Sequence, residues 1–230
     1  IMAATIQTIE KPLRARAWDT SGNNHHGQIY SGRALEFDGV ADYIDLNEKF
    51  EHNIFTVSAW VNMADSPSAS EVIFSNRSSS SDAFMCFLSS GGRPSLKFET
   101  ETVTSNKVLD IGIWYRLVFT YDDAELKVYI NGVLPEESSG SYENPVAYTT
   151  SDIANAANAR IGLDAWGSTQ YIFKGMISDV QIWDAAWTAS DVLFDYQNPE
   201  QLALNNSGTS LTESNLKGWY PMNDGHRGQQ

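Results

Sequence analysis

Short runs in which apolar and polar residues alternate recur along most of this chain, the two-residue period of strands with one buried face. The stretch from Gly32 to Leu46 sets the pattern. Leu35, Phe37 and Val40 supply apolar weight, Asp38-Gly39 makes a tight turn, and Tyr43-Ile44-Asp45-Leu46 resumes the alternation. This predicts two strands joined as a hairpin. Phe55, Val57, Ala59 and Val61 alternate on one face of a further strand, with Trp60 on the other. Val72 to Ser75 is a fourth apolar run. Phe84–Leu88 and Ser95–Val103 predict a hairpin about Gly91-Gly92-Arg93-Pro94, with Leu96 and Phe98 facing one way and Lys97, Glu99 and Glu101 the other. Trp114–Tyr121 has the highest β-propensity in the chain, and Asp122-Asp123 turns it into Leu126–Ile130, which ends at Asn131-Gly132. After a long polar connection over 135–159 come a strand at Arg160-Ile161-Gly162, a turn-rich loop over Asp164–Tyr171 and a long strand over Phe173–Trp183.

Helical spacing occurs in two places. Ile6, Ile9 and Leu13 show it weakly, and Pro12 interrupts it. Thr188-Ala189-Ser190-Asp191 reads as an N-cap with a capping-box acid, predicting a short helix to about Gln197, ahead of Pro199. Residues 205–215, rich in Asn, Ser, Thr and Gly, read as a linker. The fold class is therefore all-β, an antiparallel two-sheet sandwich with one short C-terminal helix.

Composition narrows the function. The 230 residues carry 15 Lys and Arg against 29 Asp and Glu, a formal net charge of −14, and no basic stripe. A nucleic-acid partner is disfavoured, because phosphate recognition needs a basic footprint. No apolar run approaches the ~18 residues of a membrane span, so no membrane insertion is expected. Cys86 is the single cysteine, so no intrachain disulfide exists, and its place in the run Ala83–Leu88 predicts a buried thiol. Residues 1–10 lack the basic start and apolar centre of a signal peptide, and Ile1 in place of Met predicts that the native start is a different one.

Three motifs together resemble a known family. Asp19-Thr20-Ser21-Gly22-Asn23-Asn24-His25-His26-Gly27 is followed by Phe37-Asp38-Gly39, and far downstream by Gly175-Met176-Ile177-Ser178-Asp179-Val180-Gln181-Ile182-Trp183. Loop, turn and closing strand resemble those of laminin-G-like, concanavalin A-like lectin/glucanase jelly rolls, of the kind found in bacterial surface and phage structural proteins. The resemblance covers residues 18–200, leaving 1–17 as a lead-in and 201–230 as a linker and tail. The tail Leu216–Gly225 resembles the segment that opens such a domain. It reads either as the start of a second repeat or as a strand folding back to complete this domain, with the first preferred.

The resemblance implies a structural Ca²⁺ held by the 19–27 loop and by the acid of the closing strand. The candidate ligands are Asp19, Ser21, Asn23 and Asp179. Hard oxygen donors at short spacing suit calcium and not zinc, while an Asx-turn without metal is the alternative. For a ligand face, Trp166 and Tyr171 offer rings to stack on sugars, with Asp164, Gln170, Asn76 and Arg77 as hydrogen-bonding partners. A retaining glycosidase needs two carboxylates about 5 Å apart. Glu99 and Glu101 come nearest to that, without a third acid at the required spacing, so no enzyme is expected. The leading expectation is a non-catalytic, carbohydrate-binding adhesion module on an extracellular or virion surface, with a glycan and other subunits of a surface assembly as partners. The alternative is an assembly domain without a sugar ligand.

Overall fold

The computed structural model describes residues 6–8, 33–135, 137–139, 142–149, 155–167, 171–199, 201–204 and 209–222. Two antiparallel sheets stack face to face. The eight-stranded sheet joins β1 (Ile6–Thr8), β2 (Arg33–Asp38), β15 (Lys174–Trp183), β4 (Phe55–Met63), β9 (Trp114–Tyr121), β10 (Glu125–Ile130) and β13 (Val146–Ala147) in that spatial order, with β16 (Leu216–Tyr220) also on β15. The six-stranded sheet runs β3 (Ile44–Asp45), β14 (Arg160–Ile161), β5 (Glu71–Ser75), β6 (Phe84–Ser89), β7 (Arg93–Phe98) and β8 (Glu101–Thr104). A small hairpin, β11 (Glu137–Ser139) with β12 (Tyr142–Asn144), stands apart. The described residues contain no helix long and apolar enough to cross a membrane.

Alternation puts the expected residues in the interior. Phe55, Val57, Ala59 and Val61 from β4 meet Phe84, Cys86 and Leu88 from β6 and Leu96 and Phe98 from β7. Aromatic rings link the layers: Phe55 stacks on Phe84 at 3.9 Å between centroids, and Phe98 meets Phe55 edge-on and Tyr121 at 4.7 Å. Each such ring, fully buried, contributes about 1.5–3 kcal/mol of transfer free energy. Trp60, on the opposite face of β4, is also buried, because α1 (Ala189–Gln197) covers that side and Tyr196 lies over its ring. The helix begins as its sequence predicts, with Thr188 and Asp191 forming a reciprocal capping box. Val192 on its inner face shares a buried cluster with Trp183 and Trp187 beneath it.

Five expectations from the sequence are corrected. The strands flanking Asp38-Gly39 do not form a hairpin: β2 enters the eight-stranded sheet and β3 the six-stranded one. The Asp38 carboxylate accepts the N–H groups of Val40 (2.7 Å) and Ala41 (3.0 Å), an Asx-turn that swings the chain between layers and leaves Val40 72% exposed. The run 95–103 is two strands, since Glu99 adopts φ 50° and reverses the chain between β7 and β8. Ile6–Thr8 forms strand and not helix, pairing with β2. The reading of 205–215 as a linker fails at Leu211, which is buried beside Ala203, while Asn215 donates to Asp184 at 3.0 Å. Leu216–Tyr220 folds back onto this domain along β15.

The seam between the sheets carries a titrating group. Glu71 on β5 accepts the backbone N–H of Lys174 on β15 at 3.2 Å. Burial, with Asp65 adding to it, pushes its carboxyl up to about 7 against the ordinary 4.5, while the Lys174 contacts pull the other way. The folded protein thus holds this proton more tightly than the unfolded chain does. The contribution is favourable below the unfolded value and is lost as pH rises through about 7. Glu71→Gln should raise the melting temperature at pH 8 and flatten its decline between pH 5 and 8. An unchanged pH profile would refute this.

Candidate functional site

The predicted ligand loop is closed at its base by the backbone. Gly162 donates to Ile73 O at 3.1 Å and accepts from Phe173 N at 2.9 Å, and Val72 donates to Tyr171 O at 3.0 Å. Gly162 has φ +85°, and a Cβ there would lie 2.4 Å from the Phe37 ring. Phe37, the apolar anchor of the sequence's first motif, therefore presses against this glycine and sets where the loop departs. It also meets Phe173 edge-on at 6.0 Å, securing the loop's return.

Beyond Gly162 the chain turns Asp164 inward. Its carboxylate accepts Ser75 Oγ at 2.9 Å and Arg77 Nε at 3.1 Å, and forms a second, shorter contact with Arg77 Nη2. Arg77 and Asp164 are both buried, so this is a desolvated, two-pronged ion pair. The Arg77 guanidinium in turn lies 5.5 Å from the centroid of the Trp166 ring, and Trp166 is 48% exposed. A cation from below and a loop pinned at both ends hold an exposed indole in one place.

The structure brings Trp166, Asp164 and Arg77 together in three tiers: ring outermost, guanidinium beneath, carboxylate at the base. Asn76 is adjacent but faces inward, its amide donating to Phe50 O at 2.6 Å and accepting from Phe84 N at 3.0 Å. Neither it nor Asp164 presents a polar atom to solvent, so both support the loop and do not contact a ligand. Tyr171 (φ 67°) is half-buried, its ring closing a small cluster of Val72, Met85 and Phe87 on the outer face of the six-stranded sheet. Gln170 lies outside the described residues.

Sequence reasoning left one group out of the site. Ser75, Met85, Lys97 and Thr102 are directly opposed across β5, β6, β7 and β8, so they project from the same outer face. Lys97 is thereby on the Arg77 face, two strands or about 10 Å from Ser75. The alternation Leu96-Lys97-Phe98 already assigned its side of the strand.

Of the candidate calcium ligands, Asp19, Ser21 and Asn23 lie outside the described residues. Asp179 sits at φ 47° in a bulge of β15. Its carboxylate receives Trp219 Nε1 at 2.7 Å, Gln181 Nε2 at 3.0 Å and Arg116 Nη1 at 3.0 Å. A carboxylate already accepting two N–H donors and paired with a buried guanidinium does not fit a calcium ligand. The described residues contain no group of three or more His, Cys, Asp or Glu side chains placed to hold a metal. Glu99 and Glu101 fall on either side of a chain reversal, and Glu99 accepts the Tyr148 hydroxyl at 2.5 Å. A separate cleft of about 380 Å³ between β2, β4 and β15 is lined by Glu36, Asp38, Asn62 and Lys174 and contains none of the predicted residues.

Two stacked antiparallel sheets with loops gathered at the strand ends define a lectin-type jelly-roll sandwich. The chain belongs to the concanavalin A-like lectin/glucanases superfamily, whose model matches residues 38–193. Among solved structures it is similar to a carbohydrate-binding protein assigned in Bacteroides ovatus, with a TM-score of 0.62 and 15% identity, covering 84% of this chain and 52% of that one. Domain 4 of AbnA, an extracellular arabinanase from Geobacillus stearothermophilus seen with arabinotriose, is similar at a TM-score of 0.54 and 22% identity, covering 84% and 87%. The heptameric SAP-like pentraxin of Limulus polyphemus is similar at 0.55 and 20% identity, covering 71% and 81%. This chain thus spans about half of the Bacteroides protein. A search of curated sequences finds no match.

Proposed function

We propose that this chain is a non-catalytic glycan-binding module in which Trp166 is the stacking platform. The observation that carries the reading is an exposed indole seated over a buried Arg77–Asp164 pair. Exposing a large apolar ring costs solvation, and fixing it in advance removes the ordering cost that a mobile ring would pay on binding. Sugar rings present C–H faces that match such a surface. Support also comes from two proteins of the same fold, the Bacteroides ovatus protein assigned as carbohydrate-binding and the arabinotriose-bound domain of AbnA. An extracellular or virion-surface setting belongs to the same reading, supported by the acidic composition and by the extracellular enzyme that carries the AbnA domain.

The test is Trp166→Ala. Glycan binding should weaken about tenfold or more, as for a central aromatic anchor, while thermal stability stays close to wild type because the ring is half in solvent. Binding that survives the substitution intact would refute this reading. The assembly alternative would then stand, favoured by one observation: Val108, Ile111 and Ile113 are exposed together on the connection between β8 and β9.

A further inference from the structure

We infer that the ligand of the Trp166 face is an acidic sugar whose carboxylate is met by Lys97; this rests on the glycan-binding reading above. The charge inventory of the face carries the inference. In a protein with nearly twice as many acids as bases, the outer row of the six-stranded sheet gathers Arg160, Lys97 and, through Ser75, Arg77. Arg77 is neutralised by Asp164, and Arg160 is paired with Asp45 at 3.6 Å and stacked on Tyr43 at 5.1 Å. Lys97 makes no ion pair among the described residues. It is half-buried, and its neighbours act on it in opposite senses: burial and the Arg77 charge disfavour its ammonium form, and Glu101 favours it.

An ammonium held near a guanidinium, partly stripped of water and in no direct ion pair, with Glu101 acting on it only at a distance, is an anion site by its electrostatics. A carboxylate bound there would supply the missing charge and accept a charge-assisted hydrogen bond. The shared face also suits a sugar. Lys97 stands about 10 Å across the sheet from Ser75, which holds the Arg77–Asp164 base of the Trp166 platform. A ring stacked on Trp166 and an acid group on the same or the next residue can engage both. Arg77 itself is buried beneath the indole, so it contributes field and not contact. The chemistry selected is a carboxylate-bearing sugar, with uronates and sialates as its two sources.

The experiment measures calorimetric binding of the whole chain at low salt to two matched pairs: oligogalacturonate against its methyl ester, and sialyllactose against lactose. In one pair the acid should bind about tenfold tighter than its neutral partner, the worth of one charge-assisted hydrogen bond. That preference should shrink with added salt, disappear in Lys97→Met and persist in Lys97→Arg. The pair that shows it identifies the source. Equal binding of acid and neutral forms, both lost in Trp166→Ala, would overturn this inference and leave the glycan-binding reading standing. Binding to no glycan by the folded protein would overturn both.

Discussion

Arg116→Met should be among the most destabilising single changes in this protein, costing about 3–5 kcal/mol in denaturant unfolding, because it leaves a buried charge without its partner. Arg116 is fully buried on β9. Its Nε and Nη2 reach the two oxygens of Asp195 at 2.6 and 2.8 Å, Nη2 also donates to Ser58 Oγ at 3.0 Å, and Nη1 meets the Asp179 carbonyl and carboxylate. Asp195 is on α1 and equally buried. Burial pushes its carboxyl upward, and Arg116 opposes that. One guanidinium thus clips the helix to the sheet and holds the β15 bulge in place. At roughly 2–4 °C per kcal/mol for a chain of this size, the variant should melt some ten degrees lower. The double variant Arg116→Met/Asp195→Leu should recover much of the loss, since a matched apolar pair replaces a matched ionic one. A loss below about 1 kcal/mol in the single variant would show that water reaches the site.

This network also explains where sequence reading stops. The strands, the capping box at Thr188 and the inward faces of β4, β6 and β7 were legible because each follows from local periodicity or a local hydrogen bond. The Asp38-Gly39 turn was legible as a turn but not as a crossing between sheets. Asx-turn chemistry is the same in both cases, and only distant partners decide which sheet receives the next strand. Glu99 illustrates the opposite failure: nothing in Phe98-Glu99-Thr100-Glu101 separates a continuing strand from a reversal, and a non-glycine residue at φ 50° gives no compositional warning. Leu211 lies in a polar stretch of sequence, and its burial depends on a cluster that Val118 of β9, Trp183 of β15 and Val192 of α1 build from distant parts of the chain.

The site was legible by residue type and not by role. Trp166, Asp164, Arg77 and Asn76 stand out in the sequence as ring and polar partners, and the first three do converge. Their division into one exposed ring and a buried supporting pair depends on contacts that span 87 residues of chain. Asp179 shows the same limit. An acid in the closing strand has the same appearance whether it faces a cation or an arginine, and here Arg116 has taken that place.

The buried pair beneath Trp166 makes the second large prediction, because it ties stability to binding. Asp164→Asn should cost about 3–5 kcal/mol, since Arg77 would remain desolvated with no counter-charge. Asparagine keeps an acceptor for Ser75 but offers an amide where Arg77 Nη2 now meets an anionic oxygen. The guanidinium would then leave its position under the indole to seek water, and the loop would lose what holds Trp166 in place. Glycan affinity should therefore fall together with stability, whereas in Trp166→Ala it falls alone. The pair Arg77→Met/Asp164→Leu separates the two effects further. Replacing both charges by apolar groups should restore most of the folding free energy, yet without the cation beneath it the indole loses the attraction that orients it, and binding should stay weak. If Asp164→Asn unfolds at the wild-type denaturant midpoint, the pair is not the base of this site. If the double variant binds as the wild type does, loop closure at Gly162 and Phe173 suffices to hold the ring.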